Sequence, residues 1–240
     1  MLLLVSGEGP SDIGCLGHGE EGHLFKHGPI YLFLDKLFEA HFQYSLLDVH
    51  AVTFVHKSEL LGEEPKHRGR QLSAPGKRKA KETGYYYENA RRLALKATQL
   101  QNELDRDVIP VLFRDADGTQ SSGRGEWAAK WDSMINGFQD GDSQFGIPIL
   151  PQPKSEAWLL CASKADPYQY CGSLEQESGN DDSPNSLKAQ LSRARGGAST
   201  TVDLNDAIAD GQIDPLQINM ASFNAFKARV NDVAQMMLRT

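Results

Sequence analysis

The fold is decided by the stretch Val111-Leu112-Phe113-Arg114-Asp115-Ala116-Asp117-Gly118-Thr119. The chain opens on a similar stretch, Leu2-Leu3-Leu4-Val5-Ser6-Gly7-Glu8-Gly9. Each begins with an apolar run that is typical of a buried parallel strand, and acidic residues and glycine follow the run directly. Because side chains just past the carboxyl ends of such strands gather in one crevice of an open α/β sheet, we expect Glu8, Asp115 and Asp117 to meet there.

Three carboxylates in one small volume favour a bound cation, because otherwise their pKa values have to rise. Ligands that are all oxygen prefer a hard ion to zinc, so the sequence predicts Mg²⁺ or Mn²⁺ at Glu8, Asp115 and Asp117. Taken alone, Glu8 is also compatible with a solvated loop carboxylate or a helix cap. Arg114 is expected to point to the opposite face of its strand from Asp115, and we interpret it as structural.

Strand and helix patterns alternate four times along residues 1–163, which predicts an α/β domain with a mostly parallel four-stranded sheet and helices on both faces. After the opening run, strands are expected at 49–56, 108–113 and 146–150, and helices at 30–42, 78–105, 125–139 and from residue 154. Residues 7–28 and 57–77 are interpreted as loops. Residues 164–240 predict a helical C-terminal extension packed on this domain, with helices at 184–194, 203–209 and 221–238.

The charge, the cysteines and the apolar runs of the chain limit the kinds of protein that it can be. A net charge of −7 over 240 residues argues against a basic nucleic-acid coat protein, although it leaves room for a local basic surface. The three cysteines, Cys15, Cys161 and Cys171, show no metal-binding spacing, and an odd number of scattered thiols favours a reducing cytoplasm over an exported, disulfide-bonded domain. The opening apolar run is too short for a signal peptide and no later run is long enough to span a bilayer, so we expect a cytoplasmic protein without a membrane partner.

A basic segment interrupts this acidic chain, with no acidic residue between Lys66 and Lys81. A concentration of cations of this kind indicates either contact with nucleic-acid phosphates or a solvated loop. Tyr85, Tyr86 and Tyr87 follow it and are interpreted as core residues or as a platform on which bases stack. The candidate nucleic-acid-binding residues of the segment are Lys66, Arg68, Arg70, Lys77, Arg78, Lys79 and Lys81.

Further candidates lie near the two strand ends. Glu156 follows the fourth strand closely enough to reach the crevice from the start of a helix, although a first-turn Glu is also favoured by the helix dipole. Lys154 is a candidate phosphate contact. Ser11 and Asp12 are typical of an N-cap pair, and Asp12 is a candidate for contact with the metal ligands.

Two common kinds of site are not supported by the sequence. The spacing of Cys15, His18, His23 and His27 matches no standard zinc finger, and we interpret this segment as a loop over the crevice that can supply an imidazole acid or base. Gly76-Lys77 is followed by Arg78 rather than Ser or Thr, so the chain has no phosphate-binding P-loop.

A strand followed by Glu8-Gly9 and then, after an intervening βα unit, a strand followed by Asp115-x-Asp117 resembles the signature of the TOPRIM domain. That domain occurs in topoisomerases, DnaG-type primases and nucleases of bacterial phage defence. The resemblance covers roughly residues 1–160 through few positions, among them Glu156 in Pro153-x-x-Glu-Ala-Trp-Leu-Leu. It implies catalytic roles for Glu8, Asp115, Asp117 and Glu156 in a Mg²⁺- or Mn²⁺-dependent nuclease that cleaves DNA or RNA.

The resemblance also implies partners. TOPRIM-like proteins of this size often act with a separately encoded ATPase, in keeping with the missing P-loop, and a homo-oligomer is compatible with the chain. One alternative is a phosphatase of the haloacid-dehalogenase type, because Asp115-Ala-Asp117-Gly-Thr matches the motif of that family, with Asp115 as nucleophile and Asp181-Asp182 as the later acidic motif. Another is a non-catalytic subunit that keeps the fold and uses the basic segment for docking.

Overall fold

A computed structural model of the chain describes residues 1–19, 22–56, 59–60, 78–116 and 124–239. The strands in these ranges are β1 (Leu2–Gly7), β2 (Gly14–Gly19), β3 (Gly22–His27), β4 (Val52–Phe54), β5 (Val108–Phe113) and β6 (Ile147–Ile149). The helices are α1 (Pro29–Phe42), α2 (Arg78–Leu104), α3 (Arg124–Asp140), α4 (Ser155–Ser163), α5 (Leu187–Ala194), α6 (Thr201–Ala209) and α7 (Ala221–Met237), with 3₁₀ turns at Cys171–Gln176 and Pro215–Gln217. The predicted α/β class is confirmed.

The central sheet is parallel, has four strands within the described ranges, and is ordered β4-β1-β5-β6. Both faces of its two middle strands are buried, which is why β1 and β5 are almost continuously apolar. Leu3, Val5 and Val111 face α1, α4 and α7, whereas Leu4 and Leu112 face α2 and α3. Helices therefore cover both faces of the sheet, as the alternation of strand and helix predicts.

The strand order places a topological switch point between β1 and β5. From β1 the chain passes to β4 on one side of it, and then returns through α2 to β5 on the other side. Successive connections therefore leave β1 and β5 in opposite directions, which opens a crevice beyond their carboxyl ends. Glu8 and Arg114, the first residues after these two strands, lie at the mouth of this crevice.

The segment that follows β1 is a hairpin rather than the predicted loop. Strands β2 and β3 pair in antiparallel fashion, with Cys15 opposite Lys26 and His18 opposite His23 in the backbone register. Glycines at Gly14, Gly17 and Gly19 weaken the alternating pattern that signals a strand, so no strand was predicted here. The predicted second strand is also too long, since β4 covers only Val52–Phe54.

The scattered cysteines gave no indication of a disulfide, yet Cys161 and Cys171 form one with an S–S distance of 2.10 Å. Both residues are buried, Cys161 in α4 and Cys171 at the start of a 3₁₀ turn. A spacing of ten residues carries no sequence signal for pairing, and the contact depends on how the chain turns back after α4.

The helices after residue 163 share a core with the sheet. Trp158 of α4 stacks on Phe226 of α7 at 5.7 Å between ring centroids and donates a hydrogen bond to Ser222. The buried carboxylate of Glu175 accepts the backbone N–H groups of Ala221 and Ser222, which caps the start of α7. None of the helices in the described ranges combines the length and the apolar character that a membrane crossing requires.

Candidate functional site at the ends of β1 and β5

Glu8 and Arg114 are neighbours because β1 and β5 end in register. Gly7 pairs with Phe113 in the parallel ladder, so the next residues of the two strands lie side by side on the same face. Arg114 Nε lies 3.7 Å from Glu8 Oε1, and the hydroxyl of Tyr85 in α2 donates a hydrogen bond to the same oxygen. The guanidinium carbon of Arg114 also lies 5.8 Å from the centre of the Tyr85 ring.

The side chain of Arg114 is buried, with 1% of it exposed, whereas 43% of Glu8 is exposed. Arg114 donates hydrogen bonds to Asn89 Oδ1 in α2 at 3.0 Å and to the carbonyl of Phe113 at 2.7 Å. These oxygens, together with the carboxylate of Glu8, surround the buried charge. Arg114 points away from Asp115, as predicted, but its contact with Glu8 was not foreseen.

Asp115 faces the other side of the sheet and binds the start of α4. Its Oδ1 accepts the backbone N–H of Ser155 at 3.1 Å, so it satisfies one of the free N–H groups of that helix. The hydroxyl of Ser155 in turn donates to Asp12 Oδ1 at 2.5 Å. One buried serine therefore joins Asp115 at the end of β5 to Asp12 in the turn after β1.

Asp12 was predicted as part of an N-cap pair, and it caps α1 through its backbone rather than through its side chain. The carbonyl of Asp12 accepts the N–H of Ile30 in the first turn of α1 at 3.0 Å. A Cβ on Gly28 would lie 2.2 Å from that carbonyl, so only glycine fits there. Gly9 has φ +76° and borders Asp12 as well, which makes the glycine of Glu8-Gly9 a requirement of this turn.

Glu156 lies beside this group of carboxylates. Burial raises the pKa of Glu156, and the nearby charges of Asp12 and Asp181 raise it further, while Lys154 opposes them. Lys154 Nζ lies 2.7 Å from Asp181 Oδ2, with 14% of the lysine side chain exposed. The lysine that was predicted to contact a phosphate is therefore already within reach of one carboxylate.

No protein-family model, curated protein or solved structure matches the chain.

The geometry of the site brings some predicted residues together and leaves others untested. Glu8 and Asp115 lie at the ends of adjacent strands, but their hydrogen-bond partners lie on opposite faces of the sheet. In the described ranges, no three His, Cys, Asp or Glu side chains are grouped closely enough to hold a metal ion. Asp117 lies outside the described residues, so the predicted sharing of one ion by Glu8, Asp115 and Asp117 stays a prediction.

The acidic side chains near the ends of β1 and β5 offer oxygen atoms, the type of ligand that a hard ion prefers. Asp115 and Asp12 both bind Ser155, and Glu156, whose pKa is raised mainly by burial and further by the charge of Asp12, lies near them. Glu8 differs because it already has a cation, Arg114, at 3.7 Å. The carboxylates on the side of Asp115 therefore differ from Glu8, because no cation is as close to Asp115 in the hydrogen bonds described above as Arg114 is to Glu8.

Most of the basic segment is not tested. Lys66, Arg68, Arg70 and Lys77 lie outside the described residues. Arg78, Lys79 and Lys81 form the first turn of α2, and their side chains are likewise outside the described part. The predicted loop with Cys15, His18, His23 and His27 is the β2–β3 hairpin, and the side chains of His18 and His23 are not described.

Sequence reasoning missed the tyrosines as hydrogen-bond donors. Tyr85 and Tyr86 were interpreted as core residues or base-stacking residues, yet the first hydroxyl binds Glu8 and the second binds the carbonyl of Asp115. The contact between Glu8 and Arg114 could have been predicted from the two strands before them. Both strands have six residues, and aligning their ends predicts that Glu8 meets Arg114.

Replacing Arg114 with methionine should lower the free energy of unfolding by roughly 2–4 kcal/mol, because Asn89 Oδ1 and the Phe113 carbonyl lose their buried donor. Urea unfolding of both proteins measures the difference. Arg91→Met is the matched control, since Arg91 is an arginine on α2 with 40% of its side chain exposed. It should change stability by no more than about 0.5 kcal/mol. Equal stabilities of parent and Arg114→Met would contradict the role of Arg114.

Glu156→Gln should stabilise the protein at neutral pH and not at low pH. Because the pKa of Glu156 is raised, the folded chain holds a proton at pH values where the unfolded chain has lost it, so stability falls as pH rises through that window. Glutamine removes this loss. Urea unfolding at pH 4 and pH 7.5 should show a gain only at the higher pH.

The control for this experiment is Glu126→Gln, because Glu126 lies in the first turn of α3 and reports the loss of a helix-dipole interaction alone. A gain for Glu156→Gln of equal size at both pH values would show that the charge of Glu156 is not the cause.

Proposed function

We propose that the chain is a TOPRIM-like nuclease that cleaves phosphodiester bonds of DNA or RNA with the help of Mg²⁺ or Mn²⁺. The observation that carries this proposal is the position of the acidic residues. Glu8 and Asp115 follow the two strands that border the topological switch point of the sheet. In open α/β sheets this is where ligands bind, and here the crevice is lined by carboxylates rather than by a phosphate-binding loop.

The proposal assigns different tasks to the two sides of the crevice. Asp115 and Asp117, with Glu156 nearby, would hold the ion, and Glu8 would lie across the crevice with Tyr85 and Arg114 behind it. A bound Mg²⁺ or Mn²⁺ would supply an activated water and offset the negative charge on the transferring phosphate. Asp12 supports Asp115 through Ser155.

The proposed substrate agrees with the cations of α2. The basic segment ends in the first turn of this helix, and three further cations, Arg91, Arg92 and Lys96, line a groove of about 320 Å³ with Glu59 and Gln99. About 40% of the side chains of Arg91 and Lys96 is exposed. In a chain with a net charge of −7, cations gathered along one helix favour contact with phosphates.

The remaining parts of the proposal come from the cysteine pattern and hydropathy of the sequence and from its resemblance to TOPRIM proteins. They are a cytoplasmic location, a separately encoded ATPase partner and a role in defence against phage. The Cys161–Cys171 disulfide is compatible with that location only if the pair is shielded from thiols, and both residues are buried.

A haloacid-dehalogenase-type phosphatase is the second candidate, and the ion pair between Lys154 and Asp181 favours it. This contact brings the later acidic pair, Asp181-Asp182, towards the helix whose first residue binds Asp115. Two features oppose the phosphatase. The Asp-x-Asp stretch follows the third strand of the sheet in chain order, and Asp181 lies in a turn rather than after a strand.

Asp115→Asn and Asp117→Asn should each reduce cleavage by about a hundredfold or more, since even indirect partners of metal ligands cost up to that much. The fold should survive in Asp115→Asn, because asparagine keeps the oxygen that accepts the Ser155 N–H. The measurement is Mg²⁺- or Mn²⁺-dependent cleavage of plasmid DNA, single-stranded DNA and RNA, alongside hydrolysis of a small phosphate ester. Asp210→Asn, an exposed change at the end of α6, is the control.

Three outcomes separate the candidate functions. Cleavage of nucleic acid that either change abolishes supports the nuclease. Hydrolysis of the ester alone supports the phosphatase, and binding of nucleic acid without hydrolysis of any substrate supports the non-catalytic subunit. Wild-type cleavage by both variants would show that the acidic pair is not the catalytic centre.

Replacing Lys77, Arg78, Lys79 and Lys81 with serine should weaken nucleic-acid binding across all sequences, because contacts to phosphates carry no base information. The salt dependence of binding should become shallower, since fewer counterions are released. Fluorescence anisotropy at several salt concentrations, in the absence of metal, measures both effects.

The charge-matched control for that experiment replaces four cations of the C-terminal helical part, Lys188, Arg193, Arg195 and Arg239, with serine. If this control and the basic-segment variant lose affinity equally, the effect reflects net charge rather than a local binding surface. Hydrolysis of a small phosphate ester needs no extended basic surface and should be the same in both variants.

A further inference from the structure

Lys130 is a buried cation that binds the backbone next to Asp115. It lies in α3, only 1% of the residue is exposed, and its Nζ donates a hydrogen bond to the carbonyl of Ala116 at 2.8 Å. The ammonium group also lies 5.4 Å from the centre of the Tyr86 ring. A buried ammonium group is stable only when oxygen atoms or ring faces take the place of water. The carbonyl of Ala116 and the ring of Tyr86 are two such partners.

Tyr86 binds the preceding carbonyl from a second helix. Its hydroxyl donates to the carbonyl of Asp115 at 2.9 Å, and the residue is 6% exposed. Two consecutive carbonyls at the end of β5 are therefore held by side chains from α2 and α3. Because the peptide group is planar, holding its oxygen also fixes the direction of the chain through that group.

Two further polar groups of this dipeptide are held as well. The N–H of Ala116 donates to the carbonyl of Pro151 at 3.1 Å, and Asp115 Oδ1 accepts the N–H of Ser155. The dipeptide Asp115-Ala116 thus has contacts with α2, α3, α4 and Pro151, which follows β6. A strand end that served packing alone would not need a buried cation, since an apolar side chain of similar length would fill the same space.

We propose that Tyr86 and Lys130 are positioning residues that fix the backbone of Asp115 and thereby aim its carboxylate into the crevice. This inference rests on the proposed function, because it gives Asp115 a task that depends on its exact direction. It assigns no chemical step to either residue. Displacing the dipeptide would separate the buried ammonium group of Lys130 from a carbonyl ligand, so the same contact opposes movement of Asp115.

The test compares three variants. Tyr86→Phe removes only the hydroxyl, and Lys130→Met removes the charge while keeping most of the chain length. The matched control is Arg229→Met, because Arg229 also donates to backbone carbonyls, those of Gly146 and Gln144, but at the opposite end of the sheet before β6. The control should lose stability in the same way without moving Asp115.

Two readouts are needed. The first is hydrogen exchange of the Ala116 amide. The Val55 amide, which follows the edge strand β4 and donates to the carbonyl of Val5, is the internal reference. The second is the concentration of Mn²⁺ at half-maximal cleavage of DNA. We expect Ala116 exchange to accelerate and the Mn²⁺ requirement to rise by about tenfold in Lys130→Met and about threefold in Tyr86→Phe, as for loss of a charged and a neutral hydrogen bond. Arg229→Met should leave both quantities within about twofold of the parent.

The outcomes separate this inference from the proposed function. Parent-like Ala116 exchange and parent-like Mn²⁺ dependence in both variants would overturn the positioning role. If the parent protein cleaves no substrate and binds no Mn²⁺ in calorimetry, the proposed nuclease is rejected, and exchange at Ala116 still decides whether Tyr86 and Lys130 hold Asp115. If Lys130→Met does not fold, Tyr86→Phe decides the question, because it deletes a single oxygen.

Discussion

Arg114 and Lys130 carry two positive charges into the interior at the carboxyl end of β5, where both residues are almost completely buried. Removing each ion from water costs several kcal/mol. Attraction between Arg114 and Glu8 at 3.7 Å offsets about 4 kcal/mol at an effective dielectric constant near 20, and less here because Glu8 is 43% exposed. The charge pair alone therefore does not stabilise the fold. The hydrogen bonds to Asn89 and to backbone carbonyls are required as well, and they tie the positions of α2 and α3 to the end of β5.

The register between β1 and β5 determines which partners Glu8 and Asp115 contact. Since Gly7 pairs with Phe113, the pleat turns Glu8 and Arg114 towards α2 and turns Asp115 towards α4. If β5 were shifted by one residue against β1, Asp115 would take the place beside Glu8 that Arg114 now has. The start of α4 would then lose its acceptor. The acidic residues of the crevice are thus separated by the sheet itself, with a cation behind Glu8 and a helix start behind Asp115.

The sequence predicts the sheet well because burial on both faces leaves a strong pattern. The run Val108–Phe113 is apolar without interruption apart from Pro110, and its predicted limits agree with β5. The hairpin was not predicted, because glycines and histidines obscure the alternation of apolar and polar residues. The pairing of its two strands with each other also leaves no pattern within either strand alone. Glu8 and Asp115 could be placed at strand ends from sequence alone. Lys130 could not, because a lysine in the middle of an amphipathic helix is usually solvated, and its burial follows from how closely α3 packs against α2.

The two adjacent tyrosines of α2 connect these observations. Consecutive residues of a helix are separated by about 100° around its axis, so Tyr85 and Tyr86 leave α2 in different directions. Tyr85 reaches Glu8 after β1 and Tyr86 reaches the Asp115 carbonyl after β5, with their rings edge to face at 5.6 Å. A rotation or slide of α2 would therefore disturb both sides of the crevice at once. The separation of the two acidic strand ends is coupled to the packing of one helix, and that helix begins in the segment with the highest density of basic residues in the chain.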